Sequence, residues 1–295
     1  MKKLLFIGVL FLLFSCGNDK KTNSNNNNKA KPLDKQVNIS ILLDLSDRIS
    51  PQKYPATPEH FQRDVEIVRT VTEYFKTNMT KLTAWKAKGK IRVFFSPAPS
   101  NQAINDIAGK LNIDCSKLDI KRRKVIYDTL TPLFEQNLTE IYNQTIQTSN
   151  WEGSDIWRFF KNDVKDFCAE NDSIYRNILI ILTDGYVYHK QSVYNNGNRY
   201  SYLLEKNINK IRKPNWKQLI DSSDFGLMTE RKDLSNLEVL VLEVNSEKTS
   251  NKIDEDIIKY TLEKWFNEMN IAKYQIYNSD LPANTKMRIE SFLKN

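Results

Sequence analysis

Two apolar runs constrain the architecture of this chain more than any other feature. They read Ile39-Ser40-Ile41-Leu42-Leu43-Asp44-Leu45-Ser46-Asp47-Arg48 and Asn177-Ile178-Leu179-Ile180-Ile181-Leu182-Thr183-Asp184-Gly185. Each is a near-continuous stretch of leucine and β-branched residues closed by an aspartate. A strand with one wet face alternates apolar and polar residues; a run like these suits a strand buried on both faces of a parallel sheet. Ligands of open α/β sheets bind just beyond the carboxyl ends of such strands. Asp44 and Asp184 are therefore expected to meet there with Ser46 and Ser154, the latter from Gly153-Ser154-Asp155. Carboxylate and hydroxyl oxygens of this kind suit Mg²⁺.

The intervals between the runs supply helices. Thr57-Pro58-Glu59 has a capping hydroxyl, a proline at the first helical position and an acid in the first turn, and Phe61, Val65, Val68, Val71, Thr72 and Phe75 follow at helical spacing. Lys90–Ser96 predicts a second strand and Leu111–Cys115 a weak edge strand. Residues 121–147 predict a long amphipathic helix with a kink at Pro132, and 156–169 another. After the strand at 177–183 comes a long stretch, about 186–235, that reads as an insertion. It holds tyrosines around the turn Asn195-Asn196-Gly197-Asn198 and a short helix at Trp216–Ile220. Leu237–Val244 predicts a strand, 253–269 a helix, 273–278 a strand, and Pro282 onward a helix. Alternating strands and helices give an α/β fold: an open, mostly parallel, doubly wound sheet with helices on both faces.

The ends carry a different signal. Lys2 and Lys3 precede the short apolar stretch Leu4–Phe14, and Leu13-Phe14-Ser15-Cys16 resembles a bacterial lipobox. Residues 1–15 are thus expected to be a lipoprotein signal peptide and Cys16 the lipid-carrying first residue of the mature chain. Residues 16–36, with Asn25-Asn26-Asn27-Asn28 and five lysines, hold too little apolar surface to fold and read as a flexible tether. The folded part would be 37–295. The expected location is the cell envelope, lipid-anchored, with Gly17 after the cysteine favouring the outer membrane.

Charge and cysteine content exclude several classes. The formal net charge is +8, but seven of the 44 basic residues and two of the 36 acids precede residue 37. That leaves 37 against 34, a net of +3. Such a balance gives no ground for nucleic-acid binding. The dense run Lys121-Arg122-Arg123-Lys124 reads as a solvated helix face. Cys115 and Cys168 form no CxxC, and His60 and His189 are too scattered for zinc; whether the two cysteines pair is left open.

Taken together, residues 37–293 resemble the von Willebrand factor type A family. There an Asp-x-Ser-x-Ser loop after the first strand, a Thr or Ser from a later loop and an Asp-Gly after the fourth strand form a metal-ion-dependent adhesion site. Asp44, Ser46, Ser154 and Asp184 fall at the matching places. Arg48 stands where the family has its second serine, and a guanidinium cannot ligate a cation. The resemblance implies either that Arg48 swings outward, beside a metal, or that it replaces the metal and pairs with Asp44 or Asp184. Tyr186 and Tyr188, leaving directly from Asp184, join Arg48 as expected ligand-contacting residues. The expected function is a membrane-tethered, non-enzymatic binding module for a protein or polymer partner. A scaffold lipoprotein with a vestigial metal site is the alternative. A metal-dependent hydrolase is a weaker one, because no P-loop, Gly-x-Ser-x-Gly or second aspartate at position 46 is present.

Overall fold

The structure is a computed structural model and describes residues 35–246 and 252–294. Its elements run β1 (Gln36–Leu43), α1 (His60–Lys86), β2 (Lys90–Phe95), α2 (Gln102–Lys110), β3 (Ile113–Asp114), α3 (Ile120–Thr148), α4 (Ile156–Arg158) and, after a π-helical turn, α5 (Val164–Cys168). They continue with β4 (Tyr175–Leu182), β5 (Asn195–Asn196), β6 (Arg199–Tyr200), α6 (Glu205–Ile211), α7 (Trp216–Ser222), β7 (Gly226–Leu227), β8 (Leu237–Val244), α8 (Lys252–Glu268), β9 (Lys273–Asn278) and α9 (Pro282–Lys294).

The principal sheet has the order β3-β2-β1-β4-β8-β9. All its pairs are parallel except β2 with β3. The continuous apolar runs lie at its centre, where both faces must be covered. Alternate residues feed two separate cores. Ile39, Ile41, Leu43, Ile178, Ile180 and Leu182 face α1, α2, α3 and α9. Leu42, Leu179, Ile181, Val239 and Val241 face α4, α5, α8 and the insertion. Burial of this many aliphatic side chains, each worth about 1.5–3 kcal/mol, is what holds the layers together.

The insertion after β4 folds into the small sheet β5-β6-β7 with α6 and α7 beside it. The expected tyrosine-rich hairpin is reduced to a two-residue ladder, turning at Gly197 (φ 57°) as its Asn-Gly step implies. Tyr186 and Tyr200 enter the core, while Tyr188 and Tyr194 remain exposed. Two helices were not expected, α2 and α6. Both are short, with only two well-placed isoleucines each (Ile104 and Ile107; Ile208 and Ile211), so their periodicity is weak. Cys115 and Cys168 are free, buried and in different cores, which settles that they do not pair with each other. Burial pushes the two thiols up, to about 11 and about 12 respectively. Among the described residues no helix is long and apolar enough to cross a membrane.

Candidate functional site

The strand order reverses between β1 and β4, the place where open α/β sheets form their ligand crevice. Leu43 is in register with Leu182, so the chain positions just beyond them, Asp44 and Thr183, stand side by side at the carboxyl edge. The Asp44 amide donates to Leu182 O (3.1 Å) and the Thr183 amide to Leu242 O (3.2 Å). The Asp44 carboxylate is buried. Its Oδ1 accepts from the Ser46 amide at 2.9 Å and its Oδ2 from the Thr183 hydroxyl at 2.7 Å. Asp184 lies one step further, with Oδ1 accepting from the Tyr186 amide (3.0 Å) and its carbonyl from the Asn245 amide (3.1 Å).

Ser154 reaches the same edge from above β1. The Asp155 amide donates to Ser96 O at the end of β2 (2.7 Å), and Ser154 exchanges two 2.8 Å backbone bonds with Tyr188, just after β4. Since β1 lies between β2 and β4, the segment Gly153–Asp155 crosses its carboxyl end. Gly153 is required there: φ is +87°, and a Cβ would come within 2.4 Å of Tyr188 O. The Ser154 hydroxyl is buried without a hydrogen-bond partner. Asp155 caps α4 through the Arg158 amide (3.2 Å), accepts from the Ser192 hydroxyl and has His189 Nδ1 at 3.3 Å. The structure therefore brings Asp44, Ser46, Ser154 and Asp184 to one edge, on the three loops expected.

Of the two arrangements foreseen, Arg48 takes the second in its Asp44 form, and it adds a partner that was not foreseen, Asp64. It does not point outward but lies beneath the edge, where it is buried. Its Nε donates to Asp44 O (3.1 Å) and lies 4.0 Å from Asp44 Oδ2. Its Nη2 donates to Leu182 O (3.1 Å) and to Asp64 Oδ2 (2.5 Å). Tyr142 donates its phenol proton to the same Asp64 oxygen (2.7 Å). Burial alone would lower the Arg48 pKa, but Asp64 and then Asp44 outweigh it, so the guanidinium is held above its ordinary value and stays charged. Burial raises the Asp64 carboxyl, and the Arg48 charge opposes that rise. Asp64 and Tyr142, from α1 and α3, were absent from the expected site. One signal was available: Asp64 is a carboxylate within the apolar stripe of α1, between Phe61 and Val68.

A small cleft of about 20 Å³, room for about one water, opens beside Arg48 and is lined by Tyr54, His60, Asp184 and Glu243 among others. Burial, and then the charges of Arg48 and Arg63, push His60 down to about 4. Burial and the Asp64 charge push Glu243 up to about 7. Glu243 has φ +72°, rare for a side chain of its size, at a register shift between β8 and β9. A roomier pocket of about 250 Å³ flanks the edge on the β2 side. Leu43, Leu45, Pro97 and Ile104 give it apolar walls, with Ser100, Asn101, Thr148 and Gly153 around them.

The donor types at the edge match a hard cation, and the unpartnered Ser154 hydroxyl is of the right kind. The electrostatics do not match. Both Asp44 oxygens already accept hydrogen bonds, and a fixed guanidinium lies 4.0 Å from one of them. That guanidinium already supplies positive charge to the carboxylate and would repel a divalent cation bound to it. With Arg48 in place, these residues do not fit Mg²⁺. Tyr186 is buried, whereas Tyr188 is 40% exposed beside the crossing segment. Cys16, the expected lipidation site, lies outside the described residues. Comparison with known families, curated proteins and solved structures finds no match.

Proposed function

We propose that the chain is a non-enzymatic binding module of the cell envelope, similar in plan to von Willebrand factor type A domains and tethered through a lipid on Cys16. Its carboxyl edge receives a protein or polymer partner without a divalent cation. The observation that carries this reading is Arg48. It sits under the strand-order reversal, bonds Asp44 O, Leu182 O and Asp64, and supplies internally the positive charge that a metal would bring. Binding then falls to the surface around it: the 250 Å³ pocket, the Gly153–Asp155 crossing and the exposed Tyr188. An apolar-walled pocket ringed by hydroxyl and amide groups and one carboxylate, Glu152, suits one protruding side chain of a partner.

Affinity capture from envelope extracts tests the reading. The same partner should be retained with and without EDTA and lost when exposed Thr148, beside the pocket, becomes Trp. Calorimetric titration of the native chain with Mg²⁺ and Mn²⁺ should show no binding at millimolar concentration. Arg48→Ser with Asp64→Asn removes the internal cation and its counter-charge together and should create binding. Capture abolished by EDTA, or metal binding by the native chain, would overturn the proposal.

A further inference from the structure

The opposite, amino edge of the sheet carries a surface that the partner reading leaves unused. There α1 ends and α3 begins, joined by Arg123, whose Nη1 donates to Ala84 O (3.1 Å) and Trp85 O (2.9 Å). Helical geometry in α1 is interrupted at Thr83 (φ 63°, ψ 154°), and just past it Trp85 stands 72% exposed. Val125, on the first turns of α3, is 53% exposed. Around them Lys81, Lys86, Lys88, Lys121 and Lys124 are all exposed. None of the five is in an ion pair among the described residues, whereas Lys53, Lys161, Lys165 and Lys294 are. A groove of about 390 Å³ between the helices has Met79, Ala84, Tyr127, Arg123 and Lys124 in its walls, with Asp128 its one acid.

The chain also enters the fold at this edge. Asn78 donates to Lys35 O (3.0 Å), and Gln36 donates to Lys86 O (3.0 Å) and accepts from the Lys88 amide (2.6 Å). The first described residues, Lys35 and Gln36, are thus held among these lysines.

We propose that this face docks on an anionic phospholipid surface, with Trp85 and Val125 in the headgroup layer and the lysines on the phosphates. Tryptophan is favoured at membrane–water interfaces because its ring is apolar and its N–H is wet. Clustered lysines gain about a factor of five in partitioning each near an anionic bilayer. A spread of unpaired lysines about isolated large apolar side chains matches a flat, laterally mobile array of anions. Docking here turns the carboxyl edge away from the membrane, and the inference stands whether or not that edge binds as proposed.

Cosedimentation with vesicles tests it, using a chain that begins at Gly17 and so lacks both the signal stretch and Cys16. It should bind vesicles of phosphatidylethanolamine with phosphatidylglycerol, weaken as salt is raised, and ignore vesicles of phosphatidylcholine alone. Lys121→Gln with Lys124→Gln should lower partitioning roughly twenty- to thirtyfold. Lys190→Gln with Lys213→Gln, exposed on the insertion, should leave it unchanged. A blue shift of tryptophan emission on vesicle addition should disappear in Trp85→Phe. The proposal is overturned by failure to bind anionic vesicles, by equal binding to phosphatidylcholine, by equal loss in the two lysine pairs, or by an emission shift that survives Trp85→Phe.

Discussion

Arg48 is as deeply buried as the leucines around it, and a charge in that setting survives only because its partners are buried with it. Asp64 is the chief of these, so removing it alone strands the guanidinium. Asp64→Ala should lower the free energy of unfolding by about 3–5 kcal/mol, measured in urea. Arg48→Met with Asp64→Leu, which removes both charges, should cost far less. Glu243 gives a second residue-scale test, in pH. Its folded value of about 7 stands above the ordinary 4.5, so the folded state favours the protonated acid. That contribution is complete below about 4.5 and is lost as pH rises through about 7; the loss is on the order of 3 kcal/mol. Glu243→Gln should therefore gain on the native chain between pH 5 and pH 8 when their urea midpoints are compared. His60 behaves oppositely, since its depressed value adds stability above about 6.5 that fades toward about 4; it is common to both chains and drops out of the comparison.

Among the elements, the joint that matters most is the pair of backbone bonds between Ser154 and Tyr188, because it ties the insertion to the edge above β1. The joint depends on Gly153, whose φ and whose approach to Tyr188 O leave no space for a Cβ. Gly153→Ala should cost about 1–3 kcal/mol in backbone strain. It should also loosen the segment from Tyr186 to Leu203 ahead of the rest. Limited proteolysis should then cut within 186–203 while β1, β4 and β8 stay protected; cleavage spread evenly through the chain would contradict this account. The short helix α2 has a related lesson. Asn101 caps it, its side chain accepting from the Ala103 amide (3.0 Å), yet a nine-residue helix with two isoleucines is too brief to reveal a period in the sequence.

For the molecule as a whole, the two cores share one sheet, so neither face should open fully without the other. Cys115 in one core and Cys168 in the other report on this separately. With their thiols raised to about 11 and about 12, both should resist thiol reagents in the folded state and become labelled together on unfolding. Faster labelling of Cys168 would mean that the α5–α8 face opens by itself. Sequence alone determined the central strands, their parallel pairing and the meeting of Asp44, Ser46, Ser154 and Asp184 at one edge. Strand burial imposes a local, repeating pattern, and a chain reversal after each strand leaves few topologies. Only the tertiary structure decided the charge balance of that edge. Arg48 finds Asp64 sixteen residues away and Tyr142 beyond it because α1 and α3 pack on the same face of β1 and β4. Which counter-charge a buried guanidinium meets depends on that packing, and no spacing within the loop that carries it encodes the answer.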